Sequence, residues 1–465
     1  FLADPVVDLI RRVPPRLRGG ELLVDPASEE ALAAGGGEDR RTIGAVVASL
    51  RKLDRSALAV QGPPGTGKTY LAARVIRTLV ERDGWHVGVV AQSHKVVENV
   101  LEGVVSAGLD PALIGKAPQG GRTDPDAPAP GYTLLPGGGH QAFLARHRAA
   151  GRGAVIGGTA WDFANETRIG RRGLDLLVVD EAGQFSLAPT IAASVSAERL
   201  LLLGDPQQLP QVSQGSHPEP VDTSALGWLL GEHETVPEGA GYFLAETRRM
   251  RPELAAVVSE LAYEGRLHAH STAALREVIG AGPPGLSWHP VSHAGASTHS
   301  PEEAAEAVRI ARYCLRGILR EPGEPDRALG QHDLIVVAAY NAQVECVAEA
   351  LAEAGLAGIR VGTVDKFQGQ EAAIAIVTLA ASSADDVPRG LDFLLMRNRL
   401  NVAISRAQWA AHLVSSDRLG EGLPATAEGV AALSGYLRLL ERSARLADRT
   451  EPDEGALPGG GVAGG

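Results

Sequence analysis

Ala57-Leu58-Ala59-Val60-Gln61-Gly62-Pro63-Pro64-Gly65-Thr66-Gly67-Lys68-Thr69 decides the fold. Residues 57–61 are an apolar run of strand length. The stretch from Gly62 to Thr69 then fits the full glycine-rich pattern that ends in Gly-Lys-Thr, and residues 70–82 carry helical spacing of apolar positions. Glycines at these places let backbone N–H groups turn inward around phosphate oxygens, and the helix that follows adds the positive end of its dipole. Gly62, Pro63, Pro64, Gly65, Thr66 and Gly67 form the expected cradle. Lys68 is placed for the β- and γ-phosphates, and the Thr69 hydroxyl for Mg²⁺. ATP and Mg²⁺ are the expected cofactors of such a loop.

Working outward, strand-like runs at 86–91, 154–157, 174–179 and 200–203 alternate with helical patterns such as 96–105. Strands alternating with helices imply a parallel sheet covered on both faces. A second alternating series follows, with helices over 252–263 and 301–319 and strands at 334–338, 359–361, 374–378 and 411–414. The fold class is α/β, in two tandem units spanning 41–243 and 244–445. Residues 1–40, punctuated by Pro14-Pro15, Gly19-Gly20 and Gly35-Gly36-Gly37, read as an irregular upstream segment. Residues 115–139 and 214–240 read as loop-rich stretches, and the Gly-rich end, 446–465, as a disordered tail.

The 465 residues are 44% hydrophobic and only 4% aromatic, so the cores must be built from Ala, Val, Leu and Ile. A formal net charge of −12 excludes a globally basic surface. It leaves only local clusters, at Arg11-Arg12 with Arg16 and Arg18, Arg168 with Arg171-Arg172, Arg248-Arg249 with Arg251, and Arg397 with Arg399. Each alone reads as solvated surface. Cys314 and Cys346 are the only cysteines, which argues against a disulfide scaffold or a four-cysteine metal site. A reducing cytoplasm is the expected location. No apolar run long enough for a bilayer and no signal peptide is visible, so no membrane association is expected. The first residue is Phe1, from which the chain is expected to be a piece of something longer.

Asp180-Glu181 closes an apolar strand. An Asp at a strand's carboxyl end suits a magnesium site, and the adjacent Glu181 is the candidate base for an attacking water. Gln184 and Gln208 are neutral amides able to sense a γ-phosphate without adding charge. Arg249 and Arg406 are candidate cations for phosphoryl transfer, although spacing alone does not separate them from surface residues. His289, His293 and His299 show no metal-ligand spacing and read as loop histidines.

Taken in order, GPPGTGKT (62–69), DEAGQ (180–184), GDPQQLP (204–210), VDKFQGQE (364–371) and NVAISRA (401–407) resemble motifs I, II, III, V and VI of superfamily 1 helicases. The DEAxQ and TVDxFQGxE forms resemble the 5′-to-3′ branch, which holds the nonsense-mediated-decay helicase family and replication-linked nuclease–helicases. Val90-Ala91-Gln92-Ser93-His94 is similar to motif Ia, Arg248-Arg249-Met250-Arg251-Pro252 to the Tyr-Arg-Met-x-Pro block, and Tyr340-Asn341-Ala342-Gln343-Val344 to the Pro-Tyr-Asn-Ala-Gln-Val block. The resemblance covers roughly residues 40–420. More narrowly, it resembles the helicase half of bacterial proteins carrying an N-terminal RecB-like nuclease.

The resemblance implies two RecA-like domains flanking one ATP site. It assigns Lys68, Thr69, Asp180, Glu181, Gln208, Arg249 and Arg406 to ATP hydrolysis, Glu371 to the nucleotide ribose, and Ser93, His94, Thr159 and Thr363 to the nucleic-acid backbone. The sequence departs from the pattern near Thr42, around which the family's adenine-reading Gln is not evident, and at Arg248, Lys95 and Gln408. The implied activity is an ATP-dependent 5′-to-3′ helicase or translocase on single-stranded nucleic acid, DNA before RNA, with a fused or associated nuclease as partner. The competing expectations are an ATPase that remodels protein–nucleic-acid complexes without unwinding, and a nucleotide-gated binding module serving a fused nuclease. Oligomeric state is open.

Overall fold

A computed structural model describes residues 3–37, 40–121, 130–210, 217–424 and 426–450. It divides into two compact units, residues 1–247 and 248–465. The division falls shortly after the 243/244 boundary expected above.

The first unit is an eight-stranded, all-parallel sheet. Its strands are β1 (Ala57–Gln61), β2 (His86–Val90), β3 (Ile114–Lys116), β4 (Thr133–Leu134), β5 (Ala154–Gly158), β6 (Leu176–Val179), β7 (Leu200–Gly204) and β8 (Gly241–Phe243). They lie in the order β4-β3-β5-β2-β6-β7-β1-β8. The sequences ALAVQ, LLVV and LLLLG are apolar throughout because both faces of a parallel sheet are covered. The strand period of two divides them between two cores. Leu58, Val60, Leu176, Val178, Leu201 and Leu203 pack on one side with the helices Arg41–Lys52, Lys68–Asp83 and His94–Ser106. Ala57, Ala59, Leu177, Val179, Leu200 and Leu202 pack on the other.

Two expectations for this unit need correction. The upstream segment is not irregular. Asp4 caps the helix Pro5–Arg11 by accepting from the Val6 amide, and Ser28 caps the helix Glu29–Gly35. Leu9 is fully buried in the second core, and Asp8 accepts from the Ser56 hydroxyl at 2.7 Å while pairing with Arg16. The segment is ordered because its first helix packs on the second core beside β1 and its second on the helix Arg41–Lys52, so it belongs to the unit. The 115–139 stretch likewise contributes strands, β3 and β4; its residues 122–129 lie outside the described residues.

The second unit is a five-stranded parallel sheet of β9 (Gly285–Val291), β10 (Leu334–Ala338), β11 (Arg360–Thr363), β12 (Ala372–Thr378) and β13 (Ala407–Ser416), ordered β9-β13-β12-β10-β11. A small antiparallel sheet of Glu277–Ile279, Ile318–Arg320 and Arg327–Ala328 sits beside it. Strand β9 was not expected, because GLSWHPV lacks a clean apolar pattern. Backbone pairing of its whole length with residues 410–416 of β13 makes it a strand, and the helix Ala427–Thr450 covers it, with Ser443 Oγ accepting from the Trp288 amide at 2.7 Å. That helix also runs past the expected end at 445. The remainder of the expected tail, 451–465, lies outside the described residues.

Nor are the histidines all loop residues. His289 lies on β9, 3.0 Å from His412. His293 is buried between Ser382 and Glu303, whose other oxygen accepts from the amides of Leu379 and Ala380. Among the described residues no cluster of three metal-ligating side chains occurs, and no helix is long and apolar enough to cross a membrane.

Candidate active site

Strands β1, β6 and β7 are neighbours, and their carboxyl ends carry residues 62–69, 180–184 and 204–210. Three segments distant in sequence therefore meet on one sheet edge, the usual ligand side of an open parallel sheet. The Gly62 amide donates to the Gly204 carbonyl at 2.9 Å, tying the first loop to the third. Lys68 opens the helix Lys68–Asp83 and folds back over the loop, where its Nζ donates to the Gly62 carbonyl at 2.7 Å. A Cβ at Gly62 would lie 2.3 Å from Lys68 Cγ, so only glycine leaves room for this arrangement. Thr66 Oγ1 donates to the Pro63 carbonyl and Thr247 Oγ1 to the Pro64 carbonyl, each at 2.8 Å, which braces both prolines. Thr69 is exposed in the first helical turn.

Asp180 is buried at the end of β6, with its amide bonded to the Val90 carbonyl. Burial, and next the neighbouring Glu181 carboxylate, raise its carboxyl to about 7, with Lys68 only partly opposing them. Such a pair calls for a cation. The donor set, an exposed hydroxyl at Thr69 and a buried carboxylate at Asp180, is of the hard-oxygen type that suits Mg²⁺. Glu181 is held at φ 53, a left-handed conformation that non-glycine residues rarely adopt. The next residues explain the turn. Gly183 packs so tightly on the third loop that a Cβ there would meet the Asp205 carbonyl oxygen at 2.3 Å.

Gln208 is buried, and its Nε2 donates to Asp205 Oδ2 at 2.9 Å. Asp205 also receives Gln61 Nε2 at 3.4 Å and the Gln207 amide at 3.2 Å. It was not singled out from sequence, although an acid directly after a buried strand is the signal that finds it. Among the described residues Gln184 Nε2 is buried with no hydrogen-bond partner, a donor left for a ligand.

The arginines behave differently. Arg249 Nε donates to Glu371 Oε2 at 2.6 Å, and its Nη1 to the Ser405 carbonyl at 3.1 Å. Glu371 Oε1 accepts from Gln408 Nε2 at 2.9 Å. The second unit thus joins Arg249, Glu371 and Gln408 in one network, and Glu371 faces an arginine as well as solvent. Arg406 is 1% exposed. Its Nε donates to the Val402 carbonyl at 2.9 Å, and its Nη1 to the carbonyls of Phe367 and Gln370 at 3.3 and 3.1 Å. It pins residues 367–370 to the helix Arg397–Ile404. Arg399 is likewise not simple surface, since its guanidinium lies 4.1 Å over the Phe393 ring.

The expected nucleic-acid residues lie elsewhere on the edges. Ser93 is exposed and caps the helix His94–Ser106, and His94 Nδ1 is buried without a partner among the described residues. Thr159 follows β5, with its amide and hydroxyl both donating to Asp162 Oδ2 at 2.8 and 2.9 Å. Thr363 ends β11, half-buried in the second unit.

Two family models, each described as an AAA domain, match residues 44–225 and 229–418. Among curated relatives, the chain is 25% identical over 357 residues to the DNA replication ATP-dependent helicase/nuclease DNA2 of Gallus gallus, covering 77% of this chain and 34% of that protein. It is 24% identical over 416 residues to the Regulator of nonsense transcripts 1 of Caenorhabditis elegans, covering 79% and 37%. The chain therefore spans about a third of the length of these relatives. Among solved structures, the arterivirus nonstructural protein 10 helicase aligns over 78% of this chain and 59% of its own, at 18% identity and a TM-score of 0.41. The two AAA-domain matches together span most of the chain, and at distant identity the chain is similar to superfamily 1 helicases.

Proposed function

We propose that this chain is an ATP-hydrolysing superfamily 1 helicase, a motor that moves 5′-to-3′ along single-stranded nucleic acid, with DNA as its preferred track. The observation that carries the reading is the meeting of residues 62–69, Asp180-Glu181 and Gln208 on one sheet edge. DNA before RNA is supported by the overlap with a DNA replication helicase over most of this chain.

In this reading the loop amides and Lys68 grip the phosphates. Thr69 and Asp180 would hold Mg²⁺, which when bound would supply charge neutralisation. Glu181 takes the proton of a water as the water oxygen bonds to the γ-phosphorus and the bond to the bridging oxygen breaks. Gln208, oriented by Asp205, and Gln184 sense whether the γ-phosphate is present. Arg249 and Arg406 are the cations assigned to the developing charge. Glu371 exchanges its Arg249 contact for the ribose. Ser93, His94, Thr159 and Thr363 hold backbone phosphates and sugars, which fixes register without reading sequence.

Strand displacement on duplexes with a 5′ or a 3′ single-stranded tail tests this, run in parallel with DNA and RNA tails. Unwinding of the 5′-tailed DNA alone is the expected result. Unwinding from the 3′ tail overturns the polarity. ATP turnover stimulated by single strands with no unwinding of any duplex shifts the reading to a remodelling ATPase.

A further inference from the structure

We infer that Trp161 is the stacking platform for one base of a single strand lying across the carboxyl edge of the first sheet; the inference rests on the nucleic-acid reading above. Trp161 is 84% exposed, whereas Trp85, Trp228, Trp288 and Trp409 are all at least half-buried. A single exposed apolar side chain is ordinary on a protein surface. Its mount and its neighbours set this one apart.

The mount is rigid. Trp161 lies in the short helix Ala160–Ala164, whose first turn is closed by a reciprocal cap between Thr159 and Asp162. Arg168 pairs with the other oxygen of Asp162. Burial works against the Asp162 charge, but the Thr159 amide and hydroxyl and Arg168 outweigh it and hold the carboxyl below its usual range. Phe163, two residues on, is fully buried. The backbone under the indole is therefore fixed from both sides, which lowers the entropy lost when a ligand stacks on it.

The neighbours are those of a polyanion track. Strands β2 and β5 pair in register, Val90 opposite Gly158, so the segments after them leave the sheet side by side. The helix His94–Ser106 lies over β5, where Val97 and Leu101 close on Gly157. That places exposed Ser93 and Lys95 on the same edge as Thr159 and Trp161. His94 adds a buried ring nitrogen with no partner among the described residues. The acids that serve the nucleotide follow β6 and β7. The carboxylate beside Trp161, Asp162, is consumed by Thr159 and Arg168. One half of the edge thus carries carboxylates and the phosphate loop. The other carries hydroxyls, a lysine, an unpaired imidazole nitrogen and an indole, a set that suits phosphates and a base face. Stacking on an indole is sequence-tolerant because every base has a π-face.

The test measures anisotropy of a labelled oligothymidylate, and of the same strand with abasic residues, on the full chain as wild type, Trp161→Ala and Trp161→Phe, with parallel RNA strands and thermal melts. Trp161→Ala is expected to bind the intact strand about tenfold more weakly, within the range for losing one stacked base. Trp161→Phe should keep most of the affinity, and all three proteins should melt alike. The abasic strand should bind more weakly than the intact one to wild type, while Trp161→Ala should not distinguish them. Equal affinity of wild type and Trp161→Ala for the intact strand overturns the inference and leaves the motor reading standing. So does an abasic penalty that persists in Trp161→Ala. Wild type that binds neither DNA nor RNA overturns the motor reading itself.

Discussion

The two units share one plan, a parallel sheet with its chemistry at the carboxyl edge, and carry opposite deficits of charge. In the first, Asp180 and Glu181 stand together with Lys68 as the nearest compensation, and Lys68 is bonded to a loop carbonyl. In the second, Arg249 and Arg406 are satisfied by Glu371 and by backbone carbonyls. The first edge is built to accept a cation and a polyanion. The second stores cations in tethered form. One edge lacks a cation, and the other holds its cations already paired.

The comparison can be broken most severely at Arg249. Arg249→Ala should lower ATP turnover on the order of a thousandfold while leaving the melting temperature nearly unchanged, since its partner Glu371 is 46% exposed. Phosphate release and calorimetry measure both, and full turnover would remove Arg249 from the reaction. Arg406→Ala should differ in kind. Its guanidinium holds carbonyls at Val402, Phe367 and Gln370, so truncation leaves buried acceptors unpaired and should cost about 2–4 kcal/mol of stability alongside turnover. Loss of turnover at unchanged stability would show that the buried contacts are dispensable.

In the first unit, Gly183→Ala forces a Cβ toward the Asp205 carbonyl and should destabilise by about 1–3 kcal/mol. Urea unfolding checks this, and an unchanged midpoint would mean that the two loops are not interlocked. A subtler contrast concerns pH. Burial depresses His412, with His289 beside it, to about 3. The unfolded histidine protonates near its ordinary value and the folded one resists, so this group's stability is lost as pH falls from about 6.5 toward 3. Between pH 7 and 5 the loss is on the order of 2 kcal/mol. His412→Gln should flatten that decline in a melting series, and an equally steep decline in the variant would place the acid sensitivity elsewhere.

What was legible in the sequence followed from chemistry that admits few residue types. A backbone that wraps phosphate needs glycines, and strands buried on both faces need unbroken apolar runs, so residues 57–69 and 176–181 declared themselves. Strand β9 did not, because its Trp288, His289 and Pro290 take their places through pairing with β13 and cover from a helix over a hundred residues later. The upstream helices were hidden by prolines and glycines around them, although Asp4-Pro5 and Ser28 are the expected capping signals. Arg406 could be named as a candidate cation, but not as a buried one, because its burial depends on carbonyls presented by a distant loop. Trp161 passed unnoticed because exposure is a property of the fold.

The central claim is that the phosphate loop of the first unit drives a nucleic-acid-dependent engine. Steady-state ATP hydrolysis by the full chain, titrated with single-stranded DNA, tests it most directly with Lys68→Ala beside wild type. The account predicts saturable stimulation in wild type and its loss in Lys68→Ala. Hydrolysis indifferent to nucleic acid, or equal turnover without the Lys68 ammonium, would contradict it.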